Sequence, residues 1–224
     1  MKTSIYLESN ILRSNLSPKA ISLYIALRGL YSGENFIYIT PSIIYYELSH
    51  KLNLTRYISN TLIDGIYELA EDNYIQILET NKDAFILDIS NLNSKNEYFT
   101  YIDLSDMRAI FNSSSTINKF SLLKYFAVLM DSLSGTYRVL IDGAYKTKII
   151  GNMPLSHLSK TCGIRYASAI KYNSELERLK LIYVYRQDHK CNIYCNYKYK
   201  DYVITYIDTV INRKCTKLNE EDNK

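Results

Sequence analysis

The sequence predicts an α+β fold, mostly α, in two modules that share one order: helix, strand, helix, helix, two short strands. Three observations carry this. Hydroxyl–proline pairs mark helix starts at Ser17-Pro18 and Thr40-Pro41, where the hydroxyl caps orphan N–H groups and proline fits the first turn. Apolar residues recur at helical spacing over several long segments. Short runs rich in Ile, Val and Tyr come in pairs that close on polar tips.

In the first module, residues 3–7 form a short strand. A helix from Pro18 carries Ala20, Ile21, Tyr24, Ile25, Leu27 and Leu30 and stops near Gly33. Residues 36–39 are a strand, and Pro41 opens a helix holding Ile43, Ile44, Tyr46 and Leu48. Thr55 caps the next helix, which runs to about Ala70 with Ile58, Leu62, Ile66 and Leu69 inside. Residues 74–79 and 84–89 are strands joined by the polar tip Thr80-Asn81-Lys82-Asp83. The polar run SNLNSKNE has no periodicity and is read as a linker. The domains are therefore expected at 1–90 and 98–199, with the linker at 91–97 and a helix and polar tail at 200–224.

In the second module, residues 98–103 form a strand, and Ser105 caps a short helix over 106–111. A helix over 117–133 is apolar all round, which predicts burial on every side. Residues 146–150 are a strand. Pro154 opens a helix, and Gly163 supplies a turn position open to positive φ. A second helix follows over 165–179. At about 100° per residue, Ala169, Tyr172, Asn173, Leu176 and Leu179 share one side, with Ile170 flanking. Ala167, Ser168, Lys171, Ser174 and Arg178 share the other. Arg165 lies nearer the apolar side by phase, but its long stem in the first turn can swing outward. Strands at 182–186 and 191–197 meet at a tip over 187–190. The final helix carries an apolar stripe of Tyr202, Val203, Tyr206, Ile207, Val210 and Ile211.

The stretch 150–197, IGNMPLSHLSKTCGIRYASAIKYNSELERLKLIYVYRQDHKCNIYCNY, resembles a winged helix-turn-helix. The segment LSPKAISLYIAL with YITPSIIYYELSHKLNLTRYISNTLIDGIYELAEDNYIQI looks like the module found in replication proteins of Gram-positive plasmids and phages. The resemblance implies two winged helix-turn-helix domains in tandem and sequence-specific binding of double-stranded DNA, in replication initiation or its control. It equally admits a transcriptional regulator of a mobile element, or a protein-interaction module that binds no DNA. In such domains the second helix of the motif enters the major groove. The expected contacts are Arg165, Tyr166, Ser168, Lys171 and Ser174 on that helix, with Arg186 and Lys190 beside the wing. In the first module they are Arg56, Tyr57, Asn60, Thr61 and Lys82. Aligning the apolar positions sets Thr55 against Arg165, Thr61 against Lys171, and Asp64 against Ser174. The second helix thus offers cations where the first offers threonines, and the two are not expected to be equivalent readers.

Charge agrees with this asymmetry. Residues 1–112 hold 9 Lys/Arg and 13 Asp/Glu, a net −4, while residues 113–224 hold 18 and 10, a net +8. A basic half is suited to a polyanion, or to pairing with the acidic half. No Walker loop, GxGxxG, HExxH or GxSxG occurs, so no enzyme and no cofactor is expected. His189, Cys191 and Cys195 suggest zinc, but strand residues four apart lie roughly 13 Å from one another, while zinc holds sulfur at ~2.3 Å. The N-terminal segment has no unbroken apolar run or small-residue cleavage site. A cytoplasmic protein with four reduced thiols is the expectation, with double-stranded DNA as partner and no membrane. The stripe at 202–211 packs on the chain's own core or forms a homodimer contact, and the acidic first half suits a replication or regulatory protein partner.

Overall fold

Three hydroxyl caps start helices where the sequence places them. Ser17 Oγ accepts from the Ala20 N–H, Thr40 Oγ1 from the Ile43 N–H, and Thr55 Oγ1 from the Ile58 N–H, each at 3.3 Å. The structure is a computed structural model that describes residues 4–31, 33–93, 98–133, 137–187 and 191–207. It is α+β, mostly helical with small antiparallel sheets. The chain divides into two compact units, Met1–Asp131 and Ser132–Lys224.

The first unit contains β1 (Ser4–Glu8), α1 (Ser9–Leu12), α2 (Pro18–Leu30), β2 (Phe36–Ile39), α3 (Pro41–Ser49), α4 (Arg56–Glu71), β3 (Gln76–Asn81), β4 (Ala84–Asp88), β5 (Phe99–Asp103), α5 (Leu104–Asn112) and α6 (Lys119–Asp131). Helix α2 is its centre: every residue from Ala20 to Leu27 is buried. Helix α4 docks on the start of α2. Glu68 takes the Ser17 N–H on one carboxylate oxygen at 2.6 Å and the Ser17 hydroxyl on the other at 2.5 Å. Gly65 lets the two backbones approach, because a Cβ there would meet the Lys19 carbonyl oxygen at 3.3 Å. Strands β2, β3 and β4 form one antiparallel sheet in the order β2-β4-β3.

The chain does not divide at 91–97. Residues 98–131, expected in the second domain, belong to the first unit. Strand β5 pairs antiparallel with β1, from Ser4 opposite Asp103 to Glu8 opposite Phe99. Ile5, Leu7 and Ile102 are buried on one face of this ribbon, and Tyr6, Phe99 and Tyr101 are exposed on the other. Helix α6 is buried almost all round, as its composition predicts. It is tied to the N-terminal segment by an Arg13–Asp131 ion pair at 2.7 Å and by Lys124 Nζ donating to the Leu16 carbonyl at 2.6 Å. These bonds join residues more than a hundred positions apart, a distance that local periodicity does not report.

The second unit contains β6 (Val139–Ile141), β7 (Ala144–Lys146), β8 (Ile150–Met153), α7 (Leu155–Thr161), α8 (Tyr166–Arg178), β9 (Ile182–Gln187), β10 (Cys191–Asn196) and α9 (Lys200–Tyr206). The strand expected at 146–150 is displaced. It is split between the β6–β7 hairpin, which turns on Asp142 and Gly143 (φ 48° and 80°), and β8. Pro154 sits one position before α7 rather than inside it. Strands β8, β9 and β10 form a sheet in the order β8-β10-β9. Val203 and Ile207 of the C-terminal stripe are buried in a core with Val139, Ile141, Ile150 and Ile193. The stripe's residues 208–211 lie outside the described residues. Among the described residues no helix is long and apolar enough to cross a membrane.

The close approach at Gly65 gives a stability prediction. Helix propensity alone would favour replacing a mid-helix glycine by up to about 1 kcal/mol. Overpacking against backbone costs about 1–3 kcal/mol, and that term should win. Gly65→Val is expected to lower the thermal midpoint followed by circular dichroism by several degrees. A raised midpoint would show that α4 and α2 yield easily there.

Candidate nucleic-acid interface

Helix α8 is positioned by a turn that the sequence marks. Gly163 adopts φ 65°, and the Ile164 N–H bonds back to the Ser159 carbonyl at 2.9 Å. Arg165 follows in an extended conformation at the cap position, its carbonyl accepting from Ser168 and Ala169 N–H while its side chain makes no cap bond. That side chain is exposed rather than drawn toward the apolar side.

The roll of α8 is set by what it buries. Ala169 and Leu176 are fully buried, and Asn173 and Glu175 nearly so. Asn173 Nδ2 donates at 3.1 Å to the hydroxyl of buried Tyr194 on β10, which also accepts from Asn192 at 3.3 Å. Burial holds the Tyr194 phenol above its ordinary range, with the two amide donors pulling the other way. With that stripe inward, Arg165, Tyr166, Ala167, Ile170, Lys171, Ser174 and Arg178 are exposed, and Ser168 is half-buried. Ile170 was expected beside the apolar side. It is instead 47% exposed, because at about 100° per residue it lies roughly 60° beyond Asn173, outside the buried stripe. Ser174 Oγ donates to the Ile170 carbonyl at 3.1 Å, so its proton is used within the helix.

The cations here fall into two groups. Arg178 forks onto Glu175, at 2.9 Å and 2.7 Å. Arg186 forks onto Glu177, at 3.0 Å and 2.5 Å, and that hydrogen bonding raises its pKa. Arg186, expected to face phosphate, is therefore turned to a carboxylate of α8. Arg165 and Lys171 make no ion pair among the described residues. Lys190 and the rest of the tip over 188–190 lie outside the described residues.

The corresponding face of α4 is built differently. Arg56, Tyr57 and Asn60 are exposed, and Thr61 is half-buried with its hydroxyl donating to the Tyr57 carbonyl at 2.8 Å. Asp64 pairs with Lys19 of α2 at 3.2 Å. Lys82 is exposed at the β3–β4 tip, in the left-handed conformation with φ 54°. By unit the contrast is plain. Residues 1–131 hold 11 Lys/Arg against 14 Asp/Glu, and residues 132–224 hold 16 against 9, net −3 and +7.

Among the described residues no group of His, Cys, Asp and Glu is arranged to hold a metal ion. His189 and the side chain of Cys191 lie outside the described residues. Cys195 is buried in the core of the second unit. No family model matches the chain, and no curated protein matches it.

Burial pushes the Cys195 thiol up from 9.0 to about 12, a backbone bond from Tyr183 partly opposing it. The folded state therefore favours the protonated thiol. That stability is complete below pH 9 and is lost as pH rises toward 12, by at most about 1.4 kcal/mol per pH unit. Urea unfolding across this range should show a shallower pH dependence in Cys195→Ala than in the parent chain. Equal slopes would mean that the thiol ionises in the fold as readily as in the unfolded chain.

Proposed function

We propose that the chain is a tandem winged helix-turn-helix protein that binds double-stranded DNA sequence-specifically, in initiation of plasmid or phage replication or in its control. Two features support the architecture. Both three-stranded sheets run first–third–second, and in both a helix pair joins the first strand to the second. The observation that carries the function is the exposed face of α8. It presents Arg165 and Lys171, without carboxylate partners among the described residues, beside Tyr166, Ser168 and Ser174.

Such a face suits a major groove. Arg and Lys donate to guanine O6 and N7, and hydroxyls serve either base edges or phosphates. The surplus of cations in residues 132–224 suits phosphate neutralisation, which supplies most non-specific affinity. Arg186 lies on β9 beside this helix, and Glu177 holds its guanidinium in one orientation until a phosphate competes for it. An exposed pair is worth only about 0–1 kcal/mol, so that exchange is inexpensive. A transcriptional regulator of a mobile element would use the same contacts. For the α4 face a protein partner is the better reading, because Tyr57 is 70% exposed and the same face carries Asp64 two turns on, where a carboxylate repels phosphate.

The test is binding-site selection on random duplex DNA, followed by gel shifts over a salt series. Replacing Arg165 and Lys171 together by alanine should weaken binding about tenfold or more and flatten the dependence of log affinity on log salt. Arg56→Ala should do much less. Unchanged affinity and slope in the double variant would remove α8 from the interface.

A further inference from the structure

Helix α8 departs from the usual distribution of polarity at four positions. It buries Asn173 and Glu175 and exposes Ile170 and Tyr166, at 47% and 55%. Exposed apolar residues are ordinary when scattered singly. These are not scattered. Tyr166, Ala167 and Ile170 are three and four residues apart, so they form one strip, running between Arg165 and Lys171. Folding does not require the arrangement, since a polar residue at 170 would leave the buried stripe of Ala169, Asn173 and Leu176 untouched. Departures of this kind from local consistency concentrate at functional sites.

We infer that Ile170, flanked by Tyr166 and Ala167, reads thymine 5-methyl groups in the major groove and so determines sequence specificity. The inference rests on the DNA-binding reading above. Of the groups on a major-groove edge, the thymine methyl is the one that an aliphatic side chain satisfies, and apolar contact with it is an established means of base discrimination. Arg165 and Lys171 on either side suit phosphates or guanine edges, which orients the strip toward base edges. Ile170 is a specificity-determining residue in this reading. It carries no charge, so its removal should leave the salt dependence alone.

The test uses the full chain and duplexes recovered by the selection, remade with deoxyuridine in place of thymidine one position at a time. Uracil keeps every hydrogen-bonding group of thymine and lacks only the methyl. At one or two positions the parent protein should lose about fourfold in affinity, the value of one buried methyl-sized group. Ile170→Ser should bind the thymine duplex more weakly by a similar factor and be indifferent to uracil at that position, with its salt slope and thermal midpoint unchanged. Ile170→Val should keep the discrimination. Indifference of the parent protein to uracil everywhere would overturn the inference, as would equal sensitivity of Ile170→Ser. If the selection enriches no sequence while duplexes are still bound, the specificity role fails and general DNA binding survives. If no duplex is bound, the DNA-binding reading itself fails, and this inference with it.

Discussion

The hydrogen bond between Asn173 and the buried Tyr194 hydroxyl fixes the surface of the second unit. Ala169 and Leu176 supply apolar burial on the same side of α8, about 1.5–3 kcal/mol for the leucine, but apolar contact alone tolerates rotation. An amide and a phenol inside the protein do not. Turning α8 by one residue, about 100°, would break the Asn173–Tyr194 bond and leave the hydroxyl only its Asn192 donor, and losing a buried hydrogen bond costs about 1 kcal/mol or more. The polar pair therefore sets the roll, and the roll decides which side chains meet solvent. Arg165, Lys171 and Ile170 are exposed together because Asn173 is held inward.

Charge on this surface is then sorted by neighbours on the same elements. Glu175 lies one turn before Arg178 and takes its guanidinium as a fork, and Glu177 does the same for Arg186 on the adjacent strand. Forked pairs fix direction more than they add stability. They also lower the net positive field near the end of α8, while Arg165 and Lys171 leave it undiminished near the start. The helix is thus most attractive to an anion at its first two turns. The extra N–H groups and positive dipole end of any helix add to that preference.

Much of the fold was legible because its signals are local. The hydroxyl–proline starts at Ser17 and Thr40, the Thr55 cap and the Gly163 turn each act within a few residues, and each element begins where they place it. The β1–β5 ribbon and the position of α6 in the first unit were not legible. They depend on pairings between segments about a hundred residues apart, which leave no trace in periodicity. The β6–β7 hairpin did have a signal. Asp142-Gly143 suits a two-residue turn that needs positive φ at both positions, but the strands beside it are only three residues long. For the site, helical phase placed Lys171 and Ser174 correctly and misplaced Ile170, because it assumes that apolar residues take the inside. Asn173 is inward as its phase requires, while Ile170 falls outside the buried stripe and Glu175, forked by Arg178, is buried beside it. Glu177 was missed because its partner Arg186 sits on the next strand, nine residues on.

The two units also separate topology from surface chemistry. Each has a helix pair between the first and second strands of a sheet ordered first–third–second, so the backbone offers α4 and α8 the same opportunity. The exposed side chains differ. On α4 the carboxylate of Asp64 lies within the exposed face, with Lys19 of α2 beside it. On α8 the carboxylates lie at the back and edge, where they hold Arg178 and Arg186 and leave the leading turns basic. At a screening length of about 8 Å, an anion near either helix responds chiefly to these local groups and little to the net charge of the whole chain. Two copies of one strand order can therefore carry surfaces of different charge, basic at the leading turns of α8 and mixed on α4.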